Sequence, residues 1–102
     1  MWCSGSGELA FRRACRVLGV SGKVILDTSL DPLEGARGYW LCGTNKIWLS
    51  PHAPYKIALH EVLHYLFPEE EHEQIYSWAH NIAYGRGSAK VVSEARRRSS
   101  EL

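Results

Sequence analysis

Apolar positions recur at helical spacing in three stretches of the chain, and each stretch predicts an amphipathic helix. The first runs over residues 8–19, the second over 54–67 and the third from the acidic cluster at 69–71 to about residue 85. Pro68 ends the second helix, because a proline disfavours helical geometry in the residue before it. The pattern therefore predicts one helix near the N-terminus and two consecutive helices in the second half.

Short runs rich in β-branched and aromatic residues lie between the first and second helices. KVILD at 23–27 predicts one strand, whereas GYWLC at 38–42 and KIWLS at 46–50 predict the two strands of a β-hairpin. Both faces of this hairpin carry apolar side chains, so we expect both to be partly covered. The predicted fold class is α+β, with an N-terminal helix, a small, mostly antiparallel sheet and two following helices.

The two ends of the chain are polar. Residues 1–7 are rich in Gly and Ser and are predicted to be a frayed N-terminus. Residues 87–102 predict a basic polar tail with a marginal helical tendency. We expect a single domain over residues 8–86, because the chain shows no internal repeat and no second apolar segment.

Composition and charge narrow the class of protein. With 102 residues, 45% of them apolar, the chain predicts a soluble domain with a thin core, which a bound metal can help to stabilise. A net charge of +1 argues against a protein that binds nucleic acid by bulk electrostatics. No run is long enough to span a membrane and no signal peptide is visible, so a cytoplasmic location is expected. The three widely spaced cysteines, Cys3, Cys15 and Cys42, are expected to be reduced.

The segment LHEVLHYLFPEEEH at 59–72 places three histidines and four glutamates within fourteen residues. His60, Glu61 and His64 form an HExxH pattern inside the second predicted helix. Imidazoles at i and i+4 lie one turn apart on the same side, so both can reach one cation about 2 Å away. Glu61 can then take a proton from a metal-bound water. The spacing predicts a catalytic metal site, and ligation by nitrogen favours Zn²⁺.

A catalytic zinc usually has three protein ligands, and the third is expected from the helix that follows. Extending the apolar stripe of that helix back towards its start places Glu71 and His72 towards the interior, whereas Glu73 falls closer to the polar side. We predict His72 as the third ligand. Glu71 and Glu73 are the alternatives, since helix boundaries read from sequence are uncertain by about 2 to 4 residues. Glu69 and Glu70 fit a charge cluster at a helix start.

The strand KIWLS, followed by LHEVLHYLFP and EEEHEQIYSWAHNIAY, resembles small phage- and prophage-encoded metallopeptidases with a minimal zincin core. In that family a short strand leads into the HExxH helix, a proline follows, and the next helix opens with an acidic pair. The resemblance covers about residues 38–86 and assigns metal binding to His60 and His64 and the general base to Glu61. The acidic pair falls on His72 and Glu73, so this chain departs from the family by having histidine at the first position.

The resemblance implies a minimal zincin-like fold and zinc-dependent hydrolysis of a peptide or protein in the cytoplasm of a bacterium or an infected bacterial host. In this hypothesis His60, His64 and His72 hold Zn²⁺. Glu61 deprotonates the water that attacks the peptide carbonyl and returns the proton to the leaving nitrogen. An extended peptide can bind by adding a strand to the exposed edge of the hairpin.

Two other interpretations remain open from the sequence. One is a zinc-stabilised binding or regulatory module without hydrolytic activity, which the small size of the chain favours. The other is a SprT-like protease acting near nucleic acid, for which the basic tail is the only indication. Five residues have side chains able to stabilise an oxyanion opposite the metal, but nothing in the sequence selects one of them, and each also fits a packed or surface position. These are Tyr39, Tyr65, Tyr76, His80 and Tyr84.

Overall fold

The computed structural model describes residues 6–102, and these form four helices and a three-stranded sheet. In chain order the elements are α1 (Ser6–Leu18), β1 (Ile25–Leu26), β2 (Gly38–Trp40), β3 (Lys46–Leu49), α2 (Tyr55–Leu66), α3 (His72–Ala83) and α4 (Ala89–Ser100). The predicted α+β class is confirmed. No helix within the described residues is long and apolar enough to cross a membrane.

Helix α2 lies at the centre of the molecule, where it contacts the other three helices and strands β2 and β3. Leu59, Val62 and Leu63 are fully buried in the core. Each buried aliphatic side chain of this size contributes about 1.5–3 kcal/mol relative to exposure in water. The helix begins after Pro54 and ends before Pro68, as the sequence predicted. Its central position explains why apolar residues occur around most of its circumference.

The sheet has the strand order β1-β3-β2 and is mixed rather than mostly antiparallel. β2 pairs antiparallel with β3 and places Trp40 opposite Ile47, as expected for a hairpin. β1 pairs parallel with β3, with Ile25 opposite Lys46. The direction of β1 did not follow from the sequence, because this strand has two residues and residues 27–37 separate it from the hairpin. β2 is consequently an edge strand.

Gly38 allows β2 to lie close to β3 and to the first part of α2. A Cβ atom at this position would lie 2.6 Å from Leu49 Cδ2 and 3.1 Å from the carbonyl oxygen of Trp48. It would also lie 3.3 Å from Ile57 Cγ2, on α2. Contacts this short require the neighbouring atoms to move, so glycine permits the close packing of the three elements.

The predicted frayed N-terminus is wrong for its last two residues, while residues 1–5 lie outside the described residues. Ser6 and Gly7 belong to α1, and Gly7 is buried. The backbone N–H of Gly7 donates a hydrogen bond of 2.9 Å to the carbonyl of Pro51. A Cβ atom on Gly7 would lie 2.5 Å from the carbonyl oxygen of Ser50. The glycine therefore joins the start of α1 to the loop that precedes α2.

The predicted polar tail is also wrong, since residues 89–100 form helix α4 and pack against α1 and α2. Ala95 and Ser99 are buried, and Val92 is partly buried against the core. These three positions recur at helical spacing, and the intervening Lys, Glu and Arg residues have high helix propensity. The many charged residues of this segment led to the prediction of a polar tail, although a narrow apolar stripe is present.

Side chains of α4 hold the ends of two other helices. Arg98 Nη1 donates a hydrogen bond of 3.0 Å to the carbonyl of Leu66, at the end of α2. Arg96 Nε donates one of 3.0 Å to the carbonyl of Val17, and Ser99 Oγ donates one to the carbonyl of Gly19, both at the end of α1. The last carbonyls of a helix have no partner within that helix. α4 supplies partners to these groups and thus belongs to the folded domain.

Two of the three cysteines lie in the described part of the chain, and neither is in a disulfide. Cys15 is buried in the core and Cys42 is exposed near the hairpin turn. Burial raises the pKa of the Cys15 thiol to about 12, because the thiolate would be desolvated. Cys3 lies outside the described residues. The expectation of reduced thiols holds in this structure for Cys15 and Cys42.

Candidate metal centre

Three histidines converge between α2 and the start of α3. Nε2 of His64 lies 2.9 Å from Nε2 of His60 and 3.3 Å from Nδ1 of His72. One ligand nitrogen from each residue lies within 4.8 Å of the other two. A tetrahedral zinc with Zn–N bonds of about 2.0–2.1 Å holds its ligand nitrogens about 3.3 Å apart. The three histidines are therefore close enough to bind a metal ion.

The elements explain this convergence. His60 and His64 lie one turn apart in α2, on the side that faces the start of α3. His72 is the first residue of α3, and the connection through Pro68 turns the chain so that α3 packs against α2. The imidazole rings of His60 and His72 have their centroids 4.6 Å apart. A short inter-helix connection thus brings a third imidazole to the pair.

Burial and mutual repulsion favour the neutral form of two of these histidines. Burial is the main cause that lowers the pKa of His60 to about 4, and the charges of His64, His72 and Lys56 contribute to the same shift. Burial also lowers the pKa of His64, with a second contribution from His72. A neutral imidazole is the form that binds a metal. At neutral pH these side chains present lone pairs rather than protons to the space between them.

Glu61 places a buried carboxyl group in the same cleft. Its residue is 8% exposed, and this burial raises the pKa of the carboxyl to about 7. A hydrogen bond with the backbone of Trp40 partly opposes the shift. Proton transfer is most efficient when the pKa of the acid or base lies near the working pH. Glu61 is therefore suited to accept and return a proton.

A cleft of about 300 Å³ opens beside the histidines, with α2 on one side and β2 on the other. Its lining residues are Gly38, Tyr39, Trp40, His60, Glu61, His64 and His72. Leu41 and Arg37, which flank β2, exchange backbone hydrogen bonds with the β3 side of the hairpin. In an antiparallel ladder the bonding direction alternates, so Gly38 and Trp40 turn their backbone groups away from β3. Within residues 6–102 no strand pairs with this edge of β2, which borders the candidate metal centre.

Among the three predicted third ligands, the structure brings His72 to the histidine pair. Glu71 precedes α3 as its N-cap residue, and Glu73 lies in its first turn; both are exposed. Within residues 6–102, neither glutamate belongs to the group whose ligand atoms lie within 4.8 Å of one another. Glu69 instead forms an ion pair of 2.6 Å with Arg98. This contact agrees with the prediction that Glu69 belongs to a charge cluster and is not a metal ligand.

Two of the five predicted oxyanion donors lie near the histidines. Tyr39 lines the cleft, and the ring of Tyr76 has its centroid 6.4 Å from that of His60. The Tyr76 hydroxyl accepts a hydrogen bond of 3.3 Å from Lys56 Nζ. Among the described residues, the other three predicted donors do not line the cleft. These are Tyr65, His80 and Tyr84.

The sequence did not indicate the direct part that β2 plays in the site. Gly38 and Trp40 line the cleft, and the backbone of Trp40 bonds to Glu61. Both residues come from a strand that precedes the motif by about twenty residues. The only available signal was the position of a hairpin directly before the HExxH helix.

Comparison with known proteins does not extend these observations: no protein-family model, no curated protein and no solved structure matches the chain. The functional interpretation therefore depends on the chemistry of the site itself. Its components are three converging imidazoles, one buried carboxyl and the free edge of a strand.

Proposed function

We propose that this protein is a zinc-dependent metallopeptidase with a minimal zincin-like fold. The observation that carries the proposal is the convergence of His60, His64 and His72 in the cleft that also contains the buried carboxyl of Glu61. Three protein ligands with one position left for water or substrate are typical of catalytic zinc, whereas structural zinc usually has four protein ligands. The resemblance over residues 38–86 supports the same activity.

The donor set fits zinc better than the other common divalent ions. All three candidate ligand atoms are imidazole nitrogens, which suit zinc, whereas magnesium and calcium prefer oxygen. Zinc bound here would polarise a substrate carbonyl and make a water molecule more acidic. The burial of His60 and the packing of α2 against α3 hold the nitrogens in place before the ion binds.

In the proposed reaction, Glu61 transfers the proton. It accepts a proton from the attacking water and then donates it to the nitrogen of the departing amine, so the peptide bond breaks with no net change in Glu61. The raised pKa of Glu61 suits both steps near neutral pH. The backbone of Trp40 favours the ionised form of this carboxyl and so moderates the rise in its pKa.

The free edge of β2 offers a binding mode for the substrate. An extended peptide can pair with the outward N–H and carbonyl of Gly38 and with the outward carbonyl of Trp40, and so add a fourth strand to the sheet. The N–H of Trp40 faces Glu61 instead. Main-chain hydrogen bonds of this kind hold a peptide regardless of its sequence, and they would place its carbonyl groups beside the three histidines.

The structure of α4 weakens the case for a nucleic-acid-directed protease. Arg97 pairs with Glu94 and Glu101, and Arg98 pairs with Glu69 and Glu94. Two of the three adjacent arginines of the C-terminal segment are thus paired with carboxylates within the protein, which leaves less charge for phosphate contacts.

The proposal is tested by measuring bound zinc and peptide hydrolysis on the same preparations. Glu61→Gln preserves the size of the side chain, so it should retain about one zinc per chain while hydrolysis falls by about 100-fold or more. His60→Ala should lose both zinc and hydrolysis. Glu34→Gln, in an exposed loop, is the matched control and should change neither quantity.

Three results would contradict the proposal. A folded wild-type protein that binds no zinc would contradict the proposed metal site. A fully active Glu61→Gln variant would show that Glu61 is not the base. A zinc-loaded wild-type protein that cleaves no member of a diverse peptide pool would instead favour the non-catalytic binding module.

A further inference from the structure

We propose that a groove next to the metal cleft binds an apolar side chain of the substrate, on the N-terminal side of the scissile bond. This inference rests on the proposed peptidase function and adds a substrate preference to it. The groove, called the aromatic groove below, has a volume of about 620 Å³. It is lined by Trp40, Cys42, Gly43, Thr44, Asn45, Tyr65 and Pro68.

The aromatic groove adjoins the metal cleft at Trp40. Trp40 lines both, and Tyr65 directly follows His64 in α2. The rings of Trp40 and Tyr65 meet edge to face, with their centroids 6.4 Å apart and their planes at 70°. Both residues are only half-buried, so their rings remain accessible. A peptide held along β2 would therefore extend from the histidines directly over these two rings.

The chemistry of the lining suits an apolar or aromatic side chain. Of the residues that the structure describes, no acidic or basic one lines the aromatic groove. The indole N–H of Trp40 donates a hydrogen bond of 2.6 Å to the carbonyl of Thr44 within the hairpin turn. This bond fixes the ring and satisfies its one polar atom, so the ring offers an apolar surface held in place before binding.

The relative directions of β2 and α2 determine which part of the substrate reaches the groove. Gly38, at the start of β2, approaches Ile57 near the start of α2. Trp40, at the end of β2, contacts Tyr65 near the end of α2. The two elements therefore advance in the same direction along the cleft, with the aromatic groove at their later end.

A peptide that pairs antiparallel with β2 runs in the opposite direction. Its earlier residues then lie at Trp40 and its later residues at Gly38, so the aromatic groove receives a residue that precedes the scissile bond. Antiparallel pairing is more stable per residue than parallel pairing, which favours this orientation. An extended chain advances about 3.3 Å per residue, so the three preceding residues span about 10 Å of the path from the histidines towards the groove.

The test uses quenched-fluorescent peptides with a common alanine–serine background and phenylalanine at one varied position. Mass spectrometry locates each cleavage site. We expect phenylalanine at one of the three positions before the scissile bond to raise kcat/KM about tenfold over alanine, as is usual for one well-filled apolar pocket. Phenylalanine after the scissile bond should have a smaller effect.

Two substitutions in the groove and one outside it complete the test. Tyr65→Ser should reduce the phenylalanine preference to less than about threefold. Cys42→Glu, at an exposed position, should introduce a preference for lysine over phenylalanine and does not require a core residue to change. Tyr84→Ser removes an exposed tyrosine that does not line the groove, and should retain the full preference.

Binding measurements separate a failure of this inference from a failure of the proposed function. The same peptides are titrated into zinc-loaded Glu61→Gln by fluorescence anisotropy. Preferential binding of the phenylalanine peptides without cleavage by the wild type would support the groove and contradict hydrolysis. Cleavage with no preference before the scissile bond, or with the preference after it, would overturn the groove assignment and leave the peptidase intact. If the peptides are neither bound nor cleaved, both the groove assignment and the peptidase function are overturned.

Discussion

The three histidines of the site differ in how firmly the protein holds them. His60, in the middle of α2, is 7% exposed, whereas His72 is exposed at the first position of α3. A buried ligand keeps its orientation because neighbouring atoms prevent rotation of the ring, while an exposed ligand is held by fewer contacts. His60 therefore orients the candidate metal centre, and His72 completes it from a neighbouring helix.

The third ligand can be identified by comparing three adjacent alanine substitutions. Because the nitrogen of His72 lies 3.3 Å from that of His64, His72→Ala should weaken zinc binding by about 100-fold or more, beyond the usual effect of losing an outer hydrogen bond. Glu71→Ala and Glu73→Ala, on exposed side chains beside it, should change the affinity by less than about threefold. Competition with a chromophoric chelator measures all three affinities. A loss confined to Glu71→Ala or Glu73→Ala would assign that glutamate instead.

The sequence predicted the candidate ligands better than the rest of the cleft. His60 and His64 followed from spacing within one helix, and His72 followed from the direction of an apolar stripe. These are local properties, which periodicity can report. The contact between Trp40 and Glu61 joins β2 to α2 and depends on tertiary packing, which no single-sequence pattern contains.

At the scale of elements, α4 stabilises the helix that carries the histidine pair. The guanidinium of Arg98 lies 4.3 Å from the centre of the Phe67 ring, and it also bonds to the Leu66 carbonyl and to Glu69. Among the described residues, its neighbour Arg97 pairs with Glu94 in α4 and with Glu101, the residue that follows the helix. Two adjacent arginines thus have different structural consequences.

The pair provides a matched comparison of stability. Arg98→Met should lower the free energy of unfolding by about 1–2 kcal/mol, because a helix-end carbonyl loses its partner and the contact with Phe67 is weakened. Arg97→Met should leave it nearly unchanged, since exposed ion pairs are screened by solvent. Urea unfolding followed by circular dichroism gives both values. Equal losses in the two variants would contradict a connecting role for Arg98.

The charge network of α4 also predicts a dependence of stability on acid. Hydrogen bonds from Arg97 and then Arg98 lower the pKa of Glu94 from 4.5 to about 2. A carboxyl with a lower pKa in the folded state stabilises the protein above pH 4.5, and this contribution is lost as the pH falls from 4.5 towards 2. Glu94→Gln should therefore show a smaller decrease in Tm over that interval than the wild type. Parallel Tm profiles from pH 6 to 2 would contradict the prediction.

Helices α1, α2 and α3 were predicted within a few residues, whereas α4 was not. The first three have wide apolar faces bounded by glycine or proline, and such faces produce a clear periodic signal. The face of α4 is narrow and contains alanine and serine, which periodicity analysis does not separate from a solvated segment. The position of the short strand β1 was predicted from the sequence. Its parallel pairing with β3 was not, because tertiary packing rather than a turn determines that pairing.

At the scale of the whole molecule, a bound metal would connect α2 to α3 across the cleft. A domain of 102 residues has a limited core, so a ligand that binds only the folded state adds a large fraction of its stability. Zinc at 100 times its Kd would add about 2.7 kcal/mol. This connection predicts a strong dependence of folding stability on zinc.

Differential scanning fluorimetry tests the dependence directly. Saturating zinc should raise Tm by roughly 10 to 20 °C for a domain of this size, and a chelator should reverse the increase. His60→Ala serves as the control, since it should show no increase at the same zinc concentration. A wild-type Tm that is the same with zinc and with chelator would show that the histidines do not retain the ion.

The contacts of α4 with the end of α1 also affect the order in which the molecule assembles. Ser99 bonds to Gly19 across 80 positions of sequence, and Arg96 bonds to Val17 across 79. Closing a loop of this length costs more chain entropy than pairing a hairpin or two consecutive helices, and such contacts form slowly. His60, His64 and His72 lie within thirteen positions of one another and need only the early, local contacts. The candidate metal centre is thus expected to take shape before the docking of α4 completes the fold, and a transient detachment of α4 would leave the three imidazoles together.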